Sequence, residues 1–291
     1  MNISLPVLAG QLLMGIVNGS FYAVLSLGLA VIFGLLGVVN FAHGAFFMLG
    51  AVVTYIGMSC FSLGYWAMLV VTPLTVGILA IVVERFLLRR IYKLDHMYGM
   101  LLTLGLAMVV EAGFQSAYGS SGLPYDTPAP LDGAANLGFM TLPVYRAWVV
   151  VIALSACAAT WFLIERTRLG AYLRAGTENP SLVEAFGVNV PRMITFTYAF
   201  GAALAAFAGV LAAPVMQVSP LMGQNYIVVV FAIVVIGGMG SIIGAVISGL
   251  ALGLAESVAK VVYPESSATI VFAIMIAVLL ICPAGLFGKQ S

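Results

Sequence analysis

The sequence predicts an all-α protein, a polytopic bundle of membrane-spanning helices, and three features lead there. Charged residues make up 7% of the 291 positions and hydrophobic residues 63%, whereas a soluble domain carries about 25% charge to keep its surface wet. Mean hydropathy is +1.16, so lipid must replace water around much of the chain. The apolar runs are continuous and close to the ~20 residues that a spanning helix needs. They are not the alternating segments of about ten residues that build an outer-membrane barrel. Helices are required, because lipid offers no partner to an exposed peptide group.

Taken in order, the expected spans lie near 9–36, 44–62, 67–88, 98–118, 145–164, 193–213, 225–239, 241–259 and 267–283. That makes eight or nine crossings in a single membrane domain covering 1–291, the lower count applying if 225–259 is one broken span. The opening Met1–Pro6 lacks a basic region, so no cleaved leader is expected. A net charge of +1 suggests no nucleic-acid partner. Cys60, Cys157 and Cys282 are too far apart for a metal-like spacing and read as packing residues.

Basic residues orient the bundle. Arg85, Arg89, Arg90 and Lys93 lie in the stretch from Glu84 to His96, and Arg166, Arg168, Arg174 and Arg192 lie in the stretch from 165 to 192. These two connections are expected to face the cytoplasm. The connection at about 119–144, with Asp126 and Asp132 and only Arg146 beyond it, is expected outside. Counting crossings then puts the N-terminus outside and Lys289 inside.

Two glycine-broken stretches interrupt apolar regions in opposite halves of the chain. One runs Gly34-Leu35-Leu36-Gly37-Val38-Val39-Asn40-Phe41-Ala42-His43-Gly44, the other Gly237-Gly238-Met239-Gly240-Ser241-Ile242-Ile243-Gly244. Paired breaks of this kind point to a duplicated transporter fold with a central pathway. The second is one residue off the spacing of a dinucleotide loop and lacks a strand–helix unit, so no nucleotide site is expected. Gly240, Gly244 and Ser248 recur every four residues, as do Gly249, Gly253 and Ser257, and Gly201, Ala205, Gly209 and Ala213. Small residues at that interval let helix backbones approach closely.

Ionisable groups within the spans reduce to His43, Glu111 and Glu256. A mid-bilayer charge costs on the order of 3 kcal/mol, so such groups tend to serve a function. Glu111 and Glu256 fall toward the outer ends of their spans, where an interfacial carboxylate would meet water. Two readings are open for His43, a pathway residue or a ring satisfied by backbone carbonyls at the helix break. Asn40 beside it suits a capping role. No catalytic constellation, metal-ligand spacing or phosphate loop is present, so no enzyme and no cofactor in this chain are expected.

Within 165–192, the segment Asn179-Pro180-Ser181-Leu182-Val183-Glu184-Ala185-Phe186-Gly187 reads as a short helix. Asn179 is its N-cap, Pro180 its first residue and Gly187 a left-handed C-cap. Leu182, Val183 and Phe186 would then be apolar side chains in need of a partner.

The asparagine–aromatic–alanine–histidine–glycine stretch at 40–44 belongs to a larger set of segments. The others are Leu169-Gly170 through Arg174-Ala175, Glu178-Asn179 through Gly187-Val188-Asn189, Gly237 through Ala245, and Pro283-Ala284-Gly285-Leu286-Phe287-Gly288. In order and spacing they resemble the high-affinity branched-chain amino acid ABC-importer permeases, and in particular the shorter of that system's two permease subunits. The resemblance implies a heterodimer with a second permease subunit and two cytoplasmic ATPase subunits that carry ATP and magnesium. It also implies a solute-binding protein outside and residence in a bacterial inner membrane. By position it assigns Arg174, Glu178, Asn179, Leu182, Glu184, Phe186 and Gly187 to a loop that docks on an ATPase. Asn40, His43, Gly44, Gly237, Gly238, Gly240 and Gly244 are the candidates at the helix breaks and pathway. The solutes implied are branched-chain amino acids or related amides and organic acids. A stand-alone carrier or channel is the alternative, and would call for ion-coupling carboxylates at mid-membrane. A membrane-embedded enzyme using His43 and Glu111 lacks a third convergent polar group.

Overall fold

In the structure, a computed structural model that describes residues 5–37, 39–92, 94–267 and 269–288, eleven α-helices account for nearly all the regular structure. Seven are long and apolar enough to cross a membrane. They are α1 (Leu5–Leu36), α2 (Ala42–Phe61), α3 (Tyr65–Phe86), α4 (His96–Tyr118), α5 (Val144–Glu165), α8 (Val190–Ala212) and α10 (Ile242–Val262). Two apolar helices are shorter, α9 (Met222–Gly237) and α11 (Ile270–Ile281). Two polar helices, α6 (Arg168–Glu178) and α7 (Pro180–Ala185), occupy the connection between α5 and α8. The chain is therefore an all-α, multi-pass membrane protein. Residues 225–259 form two helices. Lys93 and Lys289, used above for orientation, lie outside the described residues.

Helix α1 is the axis of the bundle. Phe21, Ala23, Val24, Leu27, Ala30 and Ile32 are all nearly inaccessible, so lipid touches little of it. Lipid tails are as apolar as leucine, and close backbone approach with its dispersion contacts must supply the attraction. The glycine rows provide it. A Cβ at Gly249 would meet the Ala23 backbone at 2.8 Å, and one at Gly28 would meet the Gly201 carbonyl oxygen at 2.7 Å. Helix α10 thus packs along one side of α1 and α8 along another, with α2 and α3 laid against α8. Helices α3, α4 and α5 turn apolar flanks outward, with Leu74, Ile78, Met108, Val109, Val151 and Phe162 exposed, as lipid contact requires.

The two ends of the bundle differ. At one end Tyr65 and Tyr145 share a hydroxyl contact of 3.0 Å, and Tyr145 donates to the Leu211 carbonyl. Trp66 packs edge-on against Trp148, which makes a small aromatic belt. The connection from 119 to 143 lies at this end. It holds a two-stranded antiparallel ribbon, β1 (Ala134–Asn136) with β2 (Thr141–Pro143), and Leu123 pairs with Val218. The other end carries the arginine-rich connections and both glycine breaks. There the sequence reading needs a correction, since Glu84 is not a loop residue. It sits in the last turns of α3, 1% exposed.

Candidate functional site

The two broken stretches meet. The end of α1 and the α9–α10 turn touch at Gly34 and Gly240, where a Cβ on either would lie 3.0–3.2 Å from the other's Cα. Gly240, which stands both in the break and at the head of the small-residue row, lies in the turn before α10, with φ +84°, and Gly238 takes φ +97°. Ser241 caps α10 by accepting from the Gly244 N–H. The row does continue through Gly244 and Ser248, and Gly244 faces Gly237 so closely that a Cβ on either would overlap backbone.

A helix end in a low-dielectric region needs partners for its last carbonyls. The segment 283–288 supplies them, because the Leu286 N–H donates to the Ile236 carbonyl and the Phe287 N–H to the Gly237 carbonyl. Gly238 and Gly285 allow this approach, since a Cβ on Gly285 would meet the Gly238 backbone at 2.5 Å and one on Gly238 would overlap the Gly288 nitrogen. No local pattern signals that these two glycine motifs, far apart in the chain, are partners.

The first break is held by side chains. Asn40 Oδ1 accepts from the Ala42 N–H, and its Nδ2 donates to the Tyr198 hydroxyl at 3.2 Å. Thr103 Oγ1 accepts from the Phe41 N–H. His43 is wholly buried in the first turn of α2, with Nε2 2.9 Å from the Leu25 carbonyl and Nδ1 unpartnered. Leu25 lies well before the end of α1, about 16 Å back at 1.5 Å per residue. The connection therefore folds back, and α2 starts opposite the middle of α1. Gly44 then meets Gly223 at the start of α9.

Beside this break, Glu84 accepts from Thr195 on α8 at 2.7 Å and from Tyr92 at 3.0 Å. Burial, reinforced by the neighbouring Glu84 carboxylate, pushes the Tyr92 phenol up, so it stays a neutral donor. Asn40, Tyr198, Tyr92, Asp95, His96 and Thr103 line a cavity of about 180 Å³ at this end. A second, of about 80 Å³, lies between Gly34, Gly240, Thr197 and the α6 residues Arg174 and Thr177. Both breaks thus abut the arginine-rich connections.

One of the two intramembrane carboxylates departs from the interfacial setting expected of it. Glu111 is 7% exposed and accepts from Gln224 on α9, so it is a buried helix–helix link and not a wet interfacial group. Glu256 accepts from the Tyr22 hydroxyl at 2.7 Å and pairs with Lys260, one turn on, at 2.7 Å. Glu84 and Lys260 are the ionisable groups that the sequence reading missed. The partners that mark the carboxylates as buried come from distant elements, Thr195 for Glu84 and Gln224 for Glu111.

In the α5–α8 connection, α6 precedes the short helix and was not anticipated. Arg174 on α6 pairs with Glu165 and donates to the Ile164 carbonyl, both at 3.3 Å. Asn179 Oδ1 accepts from the Leu182 N–H, Pro180 opens α7, and Gly187 has φ +84°. Leu182 and Phe186 are 54% and 81% exposed, but Val183 is buried at 7%, a correction to the three-residue apolar patch. Glu178 and Glu184 are solvent-facing. No group of three or more metal-ligating side chains occurs among the described residues.

Buried polar links between helices, a doubled glycine junction and lipid-facing flanks are those of a polytopic membrane protein. The family model for the branched-chain amino acid transport system permease component matches residues 11–279. The chain belongs to that family. It is similar to the high-affinity branched-chain amino acid transport system permease protein LivH of Escherichia coli (strain K12), at 28% identity over 97% of this chain and 96% of the relative. It is also similar to the permease protein BraD of Pseudomonas aeruginosa, at 27% identity over 97% and 96%. A fructose import permease protein, FrcC of Rhizobium meliloti, matches 38% of the chain at 34% identity. No solved structure matches significantly. The family is one of transport permeases, non-catalytic in themselves.

Proposed function

We propose that this chain is the membrane-spanning permease subunit of an ATP-driven importer, translocating branched-chain amino acids or closely related small solutes by alternating access. It works beside a second permease subunit, two ATPase subunits that bind ATP and magnesium, and a solute-binding protein on the far side. The membrane is a bacterial inner membrane. The arginine-rich end faces the cytoplasm, because basic connections are retained there. The single membrane domain spans 1–291.

One observation carries the coupling role. Helix α7 lies outside every span and presents Leu182 and Phe186, 54% and 81% exposed. Apolar side chains displayed this way mark a docking surface, and an ATPase cleft is the partner that the family resemblance supplies. Arg174, Glu178, Asn179, Glu184 and Gly187 shape and flank that surface. Movement of α6 and α7 has a short route to the pathway, since Arg174 borders the Gly34–Gly240 junction and Thr195, near the start of α8, holds Glu84. Asn40, His43, Gly44, Gly237, Gly238 and Gly244 form the breaks that hinge around it. Glu111 and Glu256 tie helices together.

The buried Glu84 and Glu111 give a second reading some support, since a stand-alone ion-coupled carrier would use such carboxylates. Reconstitution separates the two. Vesicles holding the assembled permeases and binding protein should accumulate leucine only with the ATPase subunits and Mg-ATP inside. Accumulation driven by an ion gradient without ATPase would favour the carrier and end the ATP-driven reading.

A further inference from the structure

A groove of about 590 Å³ opens between α3, α8, α6 and the last turns of α5, with Val31 of α1 also in its lining. Leu74 and Ile78 from α3, Phe196 and Phe200 from α8, and Leu169 and Tyr172 from α6 line it. The floor is made of small residues. A Cβ at Gly77 would meet the Ala199 carbonyl oxygen and the Ala203 Cβ at 3.5 Å, ordinary contact distance, so α3 packs directly on α8 there and the small residues Gly77, Ala199 and Ala203 leave the floor bare of side-chain bulk.

Its length and its rim suggest what fills it. On α8 the lining runs from Met193 to Ala203 and on α3 from Pro73 to Ile81, which at 1.5 Å per residue is about 15 Å and about 12 Å. The hydrocarbon core is about 30 Å thick, so the groove is one leaflet deep. Amphipathic α6 borders its arginine-rich end, with Leu169, Tyr172 and Leu173 turned into the groove. A partner's spanning helix would run into α6, whereas an acyl chain needs only the depth of one leaflet and leaves the groove beside α6 toward its headgroup.

Arginines stand at that same end on three of the bordering helices, α3, α6 and α8. Arg85 follows Ile78 and Ile81 at helical intervals of seven and four, Arg168 precedes Tyr172 by four, and Arg192 precedes Phe196 by four. All three are exposed, and none is in an ion pair among the described residues. The nearby Glu165 is engaged by Arg174 and Glu84 is buried in its own network. Basic residues between spans at the cytoplasmic surface suit phosphate headgroups.

The geometry points to a binding site for an anionic glycerophospholipid of the leaflet on the arginine-rich side. One acyl chain lies in the α3–α8 groove and the phosphate sits among Arg85, Arg168 and Arg192. The lipid wedges α3 against α8 and supports α6 from beneath.

The test uses the full chain, reconstituted with its partner subunits, and spin-labelled phosphatidylglycerol or phosphatidylcholine. The wild type should hold a motionally restricted population that prefers phosphatidylglycerol. Combined replacement R85Q/R168Q/R192Q, outside the buried core, should abolish that preference, each arginine accounting for up to about fivefold. Ala203→Phe, which fills the floor, should release the restricted population of both lipids. A photoreactive side chain at Ile78 should capture lipid. No preference in the wild type, an unchanged preference in the triple variant, or capture of another polypeptide at Ile78 would each overturn the site.

Discussion

The two breaks solve one problem by opposite means. Both leave backbone groups unpaired at membrane depth, where each costs several kcal/mol if unsatisfied. At 40–42 side chains do the work, with Asn40 and Thr103 accepting from the Ala42 and Phe41 N–H groups and Asn40 donating to Tyr198. At 238–241 the absence of side chains does most of it. Two left-handed glycines make the turn, Gly237 and Gly244 bring α9 and α10 into backbone contact, and the 283–288 segment bonds the last α9 carbonyls. The first break should therefore respond to changes in polarity and the second to changes in bulk.

The largest effect is expected at Gly244. Gly244→Leu would drive a branched side chain into the Gly237 backbone, and the penalty should reach the upper end of the roughly 1–3 kcal/mol seen for overpacking. Membrane-fraction yield and the thermal midpoint in detergent should both fall. Gly240→Leu comes next, since the left-handed conformation alone costs about 1–2 kcal/mol and Gly34 adds crowding. Uptake should drop sharply while inserted protein stays detectable. Gly240→Asn should be milder, because asparagine tolerates that backbone region. Wild-type uptake in the leucine variant would remove Gly240 from the junction.

Asn40→Ala should cost about 1 kcal/mol, as lost caps do, and also strip the Tyr198 hydroxyl of its donor. Asn40→Asp keeps the acceptor toward Ala42 but not the donor toward Tyr198, so comparing their thermal midpoints separates the two bonds. Equal, wild-type values in both would make this break as indifferent to polarity as the other. Smallest in stability, and informative about orientation, are cysteines introduced in a background without native cysteines. Ser120 and Ser121 should react with an impermeant thiol reagent added outside, and Ser181 only after the membrane is opened. The reverse pattern would invert the bundle.

Local signals carried what was legible before the structure. Asn179-Pro180 and Gly187 announced a capped helix because cap, first turn and left-handed stop are encoded within nine residues. The long apolar runs announced the spans. Contacts between distant segments stayed hidden. Arg85, Arg89 and Arg90 made Glu84 look like part of a solvated loop, and only Thr195, 111 positions on, shows it to be buried. Val183 looked as exposed as its neighbours, yet a six-residue helix still turns one face inward. The pairing of 237–240 with 283–288 rests on backbone hydrogen bonds, which no side-chain pattern records.

The coupling role of α7 is tested most directly by Leu182→Ala combined with Phe186→Ala, since both side chains lie outside the spans and are exposed. Burial of each against an ATPase would contribute about 1.5–3 kcal/mol. The quantities to measure are ATPase co-purification and leucine-stimulated hydrolysis in reconstituted vesicles. The double variant should insert normally, retain less ATPase and lose the stimulation. Wild-type retention together with wild-type stimulation would contradict a coupling role for this helix.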